Sequence, residues 1–185
     1  MQVDVQDFLR LVETASTLFC WDTETAGRDM DYGGVYTVAI KPYGKAPVLI
    51  SRRKGQSDKY LVRDAADYLN EADCWVTYYG KGFDVGVMNT RLLRWGLPPL
   101  ESKLHIDLYF SIQPKIRLGS KSQASLLAFL GTDQQKMSVP PTAWSDVNED
   151  FEKNIAILGA RCISDAVGLE AGYDKTKHLI KDIKR

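Results

Sequence analysis

The run Leu18-Phe19-Cys20-Trp21 is apolar at every position and leads directly into Asp22-Thr23-Glu24-Thr25-Ala26-Gly27. A short stretch without polar alternation reads as a strand covered on both faces, which requires helices above and below a sheet. Residues two apart on a strand point to one side. Asp22 and Glu24 therefore share a face at the end of a buried strand, where unpaired charge is costly. Two carboxylates held so close repel each other and are stabilised by a cation between them. Hard oxygen donors of this kind suit Mg²⁺ or Mn²⁺ rather than Zn²⁺. An isolated Asp-x-Glu also fits a solvated strand end, so other acids have to join it.

The rest of the chain supplies the covering elements. Asp4 to Thr14 has apolar residues at helical spacing. Arg28 to Gly34 carries turn residues, and Val35 to Ile40 and Pro47 to Ser51 are short and β-rich, so a meander is expected with the first strand. Helices are expected over Asp58 to Asn70, Asp84 to Trp95, Ser122 to Leu130 and Glu149 to about Tyr173, with Gly168 a candidate break. The basic tail from Lys175 either extends the last helix or frays. Cys74 to Tyr78 and Leu104 to Phe110 read as strands, and the polar stretch Thr132 to Asn148 as a loop of lid or substrate-contacting type. A meander followed by alternating helix and strand predicts an α/β fold with a mixed five-stranded sheet flanked by helices. With 185 residues, no internal repeat and no second composition regime, residues 1–185 read as one domain.

Composition narrows the classes. No 18-residue apolar span exists, so no membrane helix is expected. The first residues are acidic where a secretory leader needs a basic start, which points to a cytoplasmic protein. Cys20, Cys74 and Cys162 lie in apolar surroundings without a CxxC pair and read as buried thiols. The net formal charge of zero argues against a broad sequence-independent nucleic-acid clamp, yet is compatible with a cleft that grips a few nucleotides.

Two more acids lie in suggestive places. Asp84 follows Tyr78-Tyr79-Gly80-Lys81-Gly82-Phe83 at a strand-to-helix junction, where an N-cap is the plain alternative. Asp165 sits beside the apolar stripe Ile157, Leu158, Cys162 and Ile163 of the last helix, where a surface acid is the plain alternative.

Together these segments resemble the DEDD superfamily of 3′–5′ exonucleases, with the ribonuclease H-like fold. Asp22-Thr23-Glu24 is similar to the first motif, the stretch Tyr78 to Trp95 to the second, and Arg161 to Asp165 stands where the third belongs. The runs Tyr79 to Asp84, Asn89 to Leu93 and His105 to Leu108 are similar to a subgroup related to the proofreading domain of family B DNA polymerases. The resemblance spans roughly Thr17 to Tyr173. It implies that Asp22, Glu24, Asp84 and Asp165 hold two Mg²⁺ or Mn²⁺ ions and hydrolyse phosphodiester bonds from the 3′ end of single-stranded DNA or RNA. In that assignment Asp22 bridges the ions, Glu24 and Asp165 share the first, and Asp84 serves the second. The residues identify no replication or repair partner, and no membrane is implied.

The chain departs from the family in one respect. Members carry a Tyr four residues, or a His five residues, before the last Asp; here Arg161 and Ala160 hold those positions. Arg cannot accept a proton at ordinary pH. Metal alone could activate the water, or His105, His178, Tyr109 or Tyr173 could substitute, or Arg161 could contact a phosphate instead. The remaining substrate candidates are Thr25, Lys81, Phe83 and Arg91, with Arg94, Arg117 and Lys121 as further cations, and Tyr32, Tyr78 or Tyr79 for base stacking. A weakly catalytic nucleic-acid-binding module of the same fold is the principal alternative. An endonuclease or hybrid-specific ribonuclease of that fold is a second, and a small-molecule phosphohydrolase or structural subunit a third.

Overall fold

The computed structural model describes residues 17–134 and 137–180. The helix expected at Asp4 to Thr14 lies outside the described residues.

Among the described residues, five strands, β1 (Leu18–Thr25), β2 (Val35–Pro42), β3 (Val48–Ser51), β4 (Cys74–Thr77) and β5 (Leu104–Asp107), form one sheet in the order β3-β2-β1-β4-β5. β1 pairs antiparallel with β2 and β2 with β3, whereas β1, β4 and β5 run parallel. The helices are α1 (Lys59–Asn70), α2 (Asp84–Arg94), α3 (Leu108–Ile112), α4 (Gln123–Phe129), α5 (Thr142–Ser145) and α6 (Phe151–Thr176), the last followed by a 3₁₀ turn at Lys177–Leu179.

β1 is central, and its apolar run is buried from both sides. Phe19 and Trp21 join Val62, Leu69, Met88 and Leu92 from α1 and α2. Leu18 and Cys20 join Leu126, Leu169 and Tyr173 from α4 and α6 on the other face. Trp21 meets Trp75 edge-to-face at 5.7 Å, a favoured aromatic geometry. All three cysteines are buried and free.

Four elements differ from the sequence reading, the first being α5, which forms inside the Thr132 to Asn148 stretch expected as a loop. β1 runs on to Thr25, so Asp22 and Glu24 lie within the strand. Leu108 to Phe110 is helical, because the Asp107 side chain accepts the Tyr109 N–H and caps α3. α6 passes through Gly168 unbroken; a Cβ there would stand 2.8 Å from Leu127 Cδ1, so the glycine serves close packing of α4.

Arg91 also departs from expectation. It is buried, with Nε 2.7 Å and one terminal nitrogen 2.8 Å from the Asp58 carboxylate, and it donates to Met30 O. Asp58 also accepts from Val35 N–H and Trp95 Nε1. Burial pushes the Asp58 carboxyl up, but these donors outweigh it and hold it below its usual range. Arg91 thus pins α2 to the starts of β2 and α1, and is not available to a substrate phosphate.

Candidate metal centre

The site is built where β1 outruns its parallel neighbour. The last pairing of β1 with β4 is Cys20 with Val76, and the register against β2 shifts between Glu24 and Thr25. A register break bends the strand and re-aims its side chains, and such breaks are common beside active sites. Ligands on open α/β sheets also gather at the carboxyl ends of strands.

Strand alternation divides the acids from the residue between them. Asp22 and Glu24 face α6, where Asp165 is buried among Leu158, Cys162 and Ala166. Asp22, Glu24 and Asp165 each present a carboxylate oxygen within 4.8 Å of the others. Cys162 packs against the same strand, its Sγ 3.2 Å from Asp22 O. Asp165 is further positioned by Gln123, whose Nε2 donates to its backbone carbonyl.

Thr23 points the other way, to α2. Its N–H and its hydroxyl both donate to Asp84 Oδ1, at 3.1 and 2.6 Å. Asp84 is therefore tied to the residue between the two strand acids, although it is not part of the three-carboxylate group. Burial raises its carboxyl to about 6, against the lowering effect of the Thr23 bonds. The approach to Asp84 needs glycine. A Cβ at Gly80 would lie 2.4 Å from Thr77 Oγ1, and one at Gly82 2.6 Å from the Tyr79 ring.

Arg161 sits on the acids themselves. Its Nε is 2.8 Å from Glu24 Oε1 and 3.9 Å from Asp165 Oδ2, and its Nη1 donates to Met137 O. Trp144 from α5 donates through Nε1 to Glu24 Oε2 at 2.9 Å, and the guanidinium lies over its ring at 5.1 Å. Both Glu24 oxygens are thus engaged by the chain's own donors. Burial nevertheless raises the Glu24 carboxyl; Arg161 and Trp144 pull it down, and Asp165 pushes it up.

The donor set fits a hard divalent cation. Three carboxylate oxygens converge beside the Arg161 guanidinium, a set of hard oxygen donors. Asp22, Glu24 and Asp165 are the residues that could hold the ion, with Asp84 at the adjoining edge.

The other sequence candidates take varied places. Thr25 is buried and donates to Gly27 O. Phe83 is half-buried against the α1–α2 core. Lys81 lines a groove beside β5, and its N–H donates to Asp107 Oδ2. His105 is buried against Thr77 Oγ1 on the face opposite Asp22 and Glu24, and Tyr173 packs in the core against Tyr43, so neither joins the acids. Trp144 and Thr23 escaped the sequence reading. Strand alternation could have marked Thr23 as facing away from the acids; for Trp144, an indole inside a polar stretch was the sole sign.

A family model described as the RNase_H superfamily matches residues 19–146. That range covers Asp22, Glu24 and Asp84 and ends before Arg161 and Asp165. No curated protein matches the chain. Among solved structures, the family B DNA polymerase from the hyperthermophilic archaeon Pyrobaculum calidifontis is similar at 16% identity and a TM-score of 0.69 over 87% of this chain. The match covers 24% of the polymerase chain, so this protein spans about a quarter of that length. At that identity the likeness speaks for the fold.

Proposed function

Because the chain belongs to the RNase_H superfamily, we propose that it is a divalent-metal-dependent 3′–5′ exonuclease of the DEDD type, acting on single-stranded DNA or RNA. The observation that carries this reading is the convergence of Asp22, Glu24 and Asp165, with Asp84 anchored at Thr23 between the strand acids. Family membership supports nuclease chemistry in general; the exonuclease polarity rests on the motif resemblance.

Asp22, Glu24 and Asp165 would hold Mg²⁺ or Mn²⁺, with Asp84 serving a second ion. Bound there, a divalent ion polarises the phosphoryl oxygen and makes its water acidic. The chain's own residues set the stage for this. Cys20 and Cys162, buried on the same face, keep water from the inner side of the acids, which strengthens their interaction with positive charge. Trp144 fixes one oxygen of Glu24 and so orients the carboxylate. Arg161 holds positive charge against Glu24 and Asp165, and cannot itself take a proton from water.

A weakly catalytic binding module is the second reading. It is favoured by Arg161, which stands in the general-base position and occupies Glu24. Loss of a general base typically lowers the rate about 10²–10⁴-fold without abolishing it.

The deciding experiment follows a 3′-labelled oligonucleotide with Mn²⁺ or with EDTA, for the wild type and Asp22→Asn. Mn²⁺-dependent release of nucleoside monophosphate by the wild type alone is expected. Cleavage of a closed circular strand would overturn the 3′-end reading, and no release at high enzyme would favour the binder.

A further inference from the structure

We propose that the groove between α2, β5 and α3 is a track for an unpaired nucleic-acid strand, holding the nucleotides upstream of the 3′ end. The proposal rests on the exonuclease reading for its class of ligand. β5 is the edge of the sheet, and beside it a cavity of about 810 Å³ opens, of a size that ligand sites commonly have. Trp75, from the neighbouring strand, contributes to its apolar floor and meets His105 edge-to-face at 5.8 Å.

The charge of the lining suits phosphate. Lys81, Lys103 and Lys115 face two carboxylates, Glu101 and Asp107. Asp107 is spent on the protein's own backbone, accepting the N–H groups of Tyr79, Lys81 and Tyr109. Glu101 is engaged by Lys103 Nζ at 2.8 Å. Lys115 is anchored by its bond to Leu179 O and brings its positive charge to the groove.

The rim suits bases. Phe110 is 49% exposed and Tyr79 45%, large apolar areas to leave in water. Their centroids are 5.5 Å apart with planes inclined by 31°, and Tyr109 braces both rings edge-on. Tyr79 is held at φ 65°, a left-handed conformation unusual for an aromatic residue, and Asp107 fixes its N–H. Such an outlier is a pointer to function, because the surrounding structure has to enforce it. Exposed rings stack on unpaired bases whatever the sequence, whereas a duplex hides the base faces.

The groove is also coupled to the acids by the chain. The loop carrying Tyr79 and Lys81 forms its wall and runs directly into Asp84. The groove opens on the α2 face, which Asp84 shares and the three-carboxylate group does not, so a strand joining the two would cross this loop at Tyr79.

The test measures binding of a fluorescent thymidine dinucleotide and octanucleotide to the full chain in EDTA, by anisotropy. The wild type should bind the octamer at least about tenfold more tightly than the dimer. Phe110→Ala and Lys115→Glu should remove most of that difference while leaving dimer binding and the melting temperature unchanged; Phe110→Trp should keep it. Unchanged octamer binding in both variants, or equal loss for octamer and dimer, would overturn the track. So would a wild-type dimer in sedimentation that Phe110→Ala dissociates, since the groove would then receive a second copy. Mn²⁺-dependent nucleotide release, assayed in parallel, separates the two readings. Groove-dependent octamer binding without release upholds the track and rejects the exonuclease, and release with no effect of the groove variants does the reverse.

Discussion

Arg161 Nε donates to Glu24 Oε1 at 2.8 Å, across 137 residues of sequence, and so places a fixed cation in the carboxylate cluster where a metal ion would bind. Guanidinium and metal compete for the same oxygen. Arg161→Gln should therefore lose about 2 kcal/mol of stability in EDTA, the size of a charged hydrogen bond. The same variant should bind Mn²⁺ about tenfold more tightly, equivalent to about 1.4 kcal/mol of competition removed. Calorimetric titration and melting curves with and without Mn²⁺ check both. An unchanged Mn²⁺ affinity would show that Arg161 does not contest the ion.

Asp84→Asn should separate structure from chemistry. The amide keeps an Oδ1 that can accept from the Thr23 N–H and hydroxyl, so folding should survive. The wild-type carboxyl titrates at about 6, above its unfolded value of 3.8. The unfolded chain therefore ionises first, and wild-type stability falls as pH rises from about 4 to about 6. The Asn variant lacks that loss and should be more stable at pH 7, on the order of 1–3 kcal/mol. Its Mn²⁺-dependent nucleotide release should nevertheless collapse. Denaturation at pH 4 and 7, alongside the release assay, reads both effects.

His105 should act in the opposite sense. Burial, aided by Lys81, lowers its pKa to about 3 from an ordinary 6.5. Below pH 6.5 the unfolded chain takes up a proton that the folded one refuses. Stability therefore falls as the solution is acidified from about 6.5 towards 3, by up to about 1.4 kcal/mol per pH unit. His105→Gln removes this contribution, so the slope of unfolding free energy between pH 5 and 7 should flatten relative to the wild type. Identical slopes would mean that His105 takes up protons equally in the folded and unfolded chains.

Arg91→Ala should cost about 3–5 kcal/mol, since it strands a buried Asp58 carboxylate. Oligonucleotide affinity of the folded fraction should not change, because Arg91 faces Asp58 and Met30 rather than the site. Urea titration and anisotropy measure the two. A large affinity loss with intact stability would return Arg91 to the substrate contacts.

Short-range rules carried much of this protein. The alternation of Asp22, Thr23 and Glu24 placed two carboxylates on one face of a covered strand, because a strand repeats every two residues. The five strands, the mixed sheet and the main helices follow from apolar periodicity and from turn residues, which act over a few positions. What the sequence left open are contacts between distant segments. Whether Arg91 or Arg161 met a phosphate or a carboxylate depended on which acid the fold brought to each: Asp58 lies 33 residues from the first, Glu24 137 from the second. Trp144 reaches Glu24 across 120 residues from a stretch that reads locally as loop. Local sequence sets backbone preference within a few residues, but the pairing of buried charges is chosen by the packed interior as a whole, where each must find a partner or carry its desolvation cost alone.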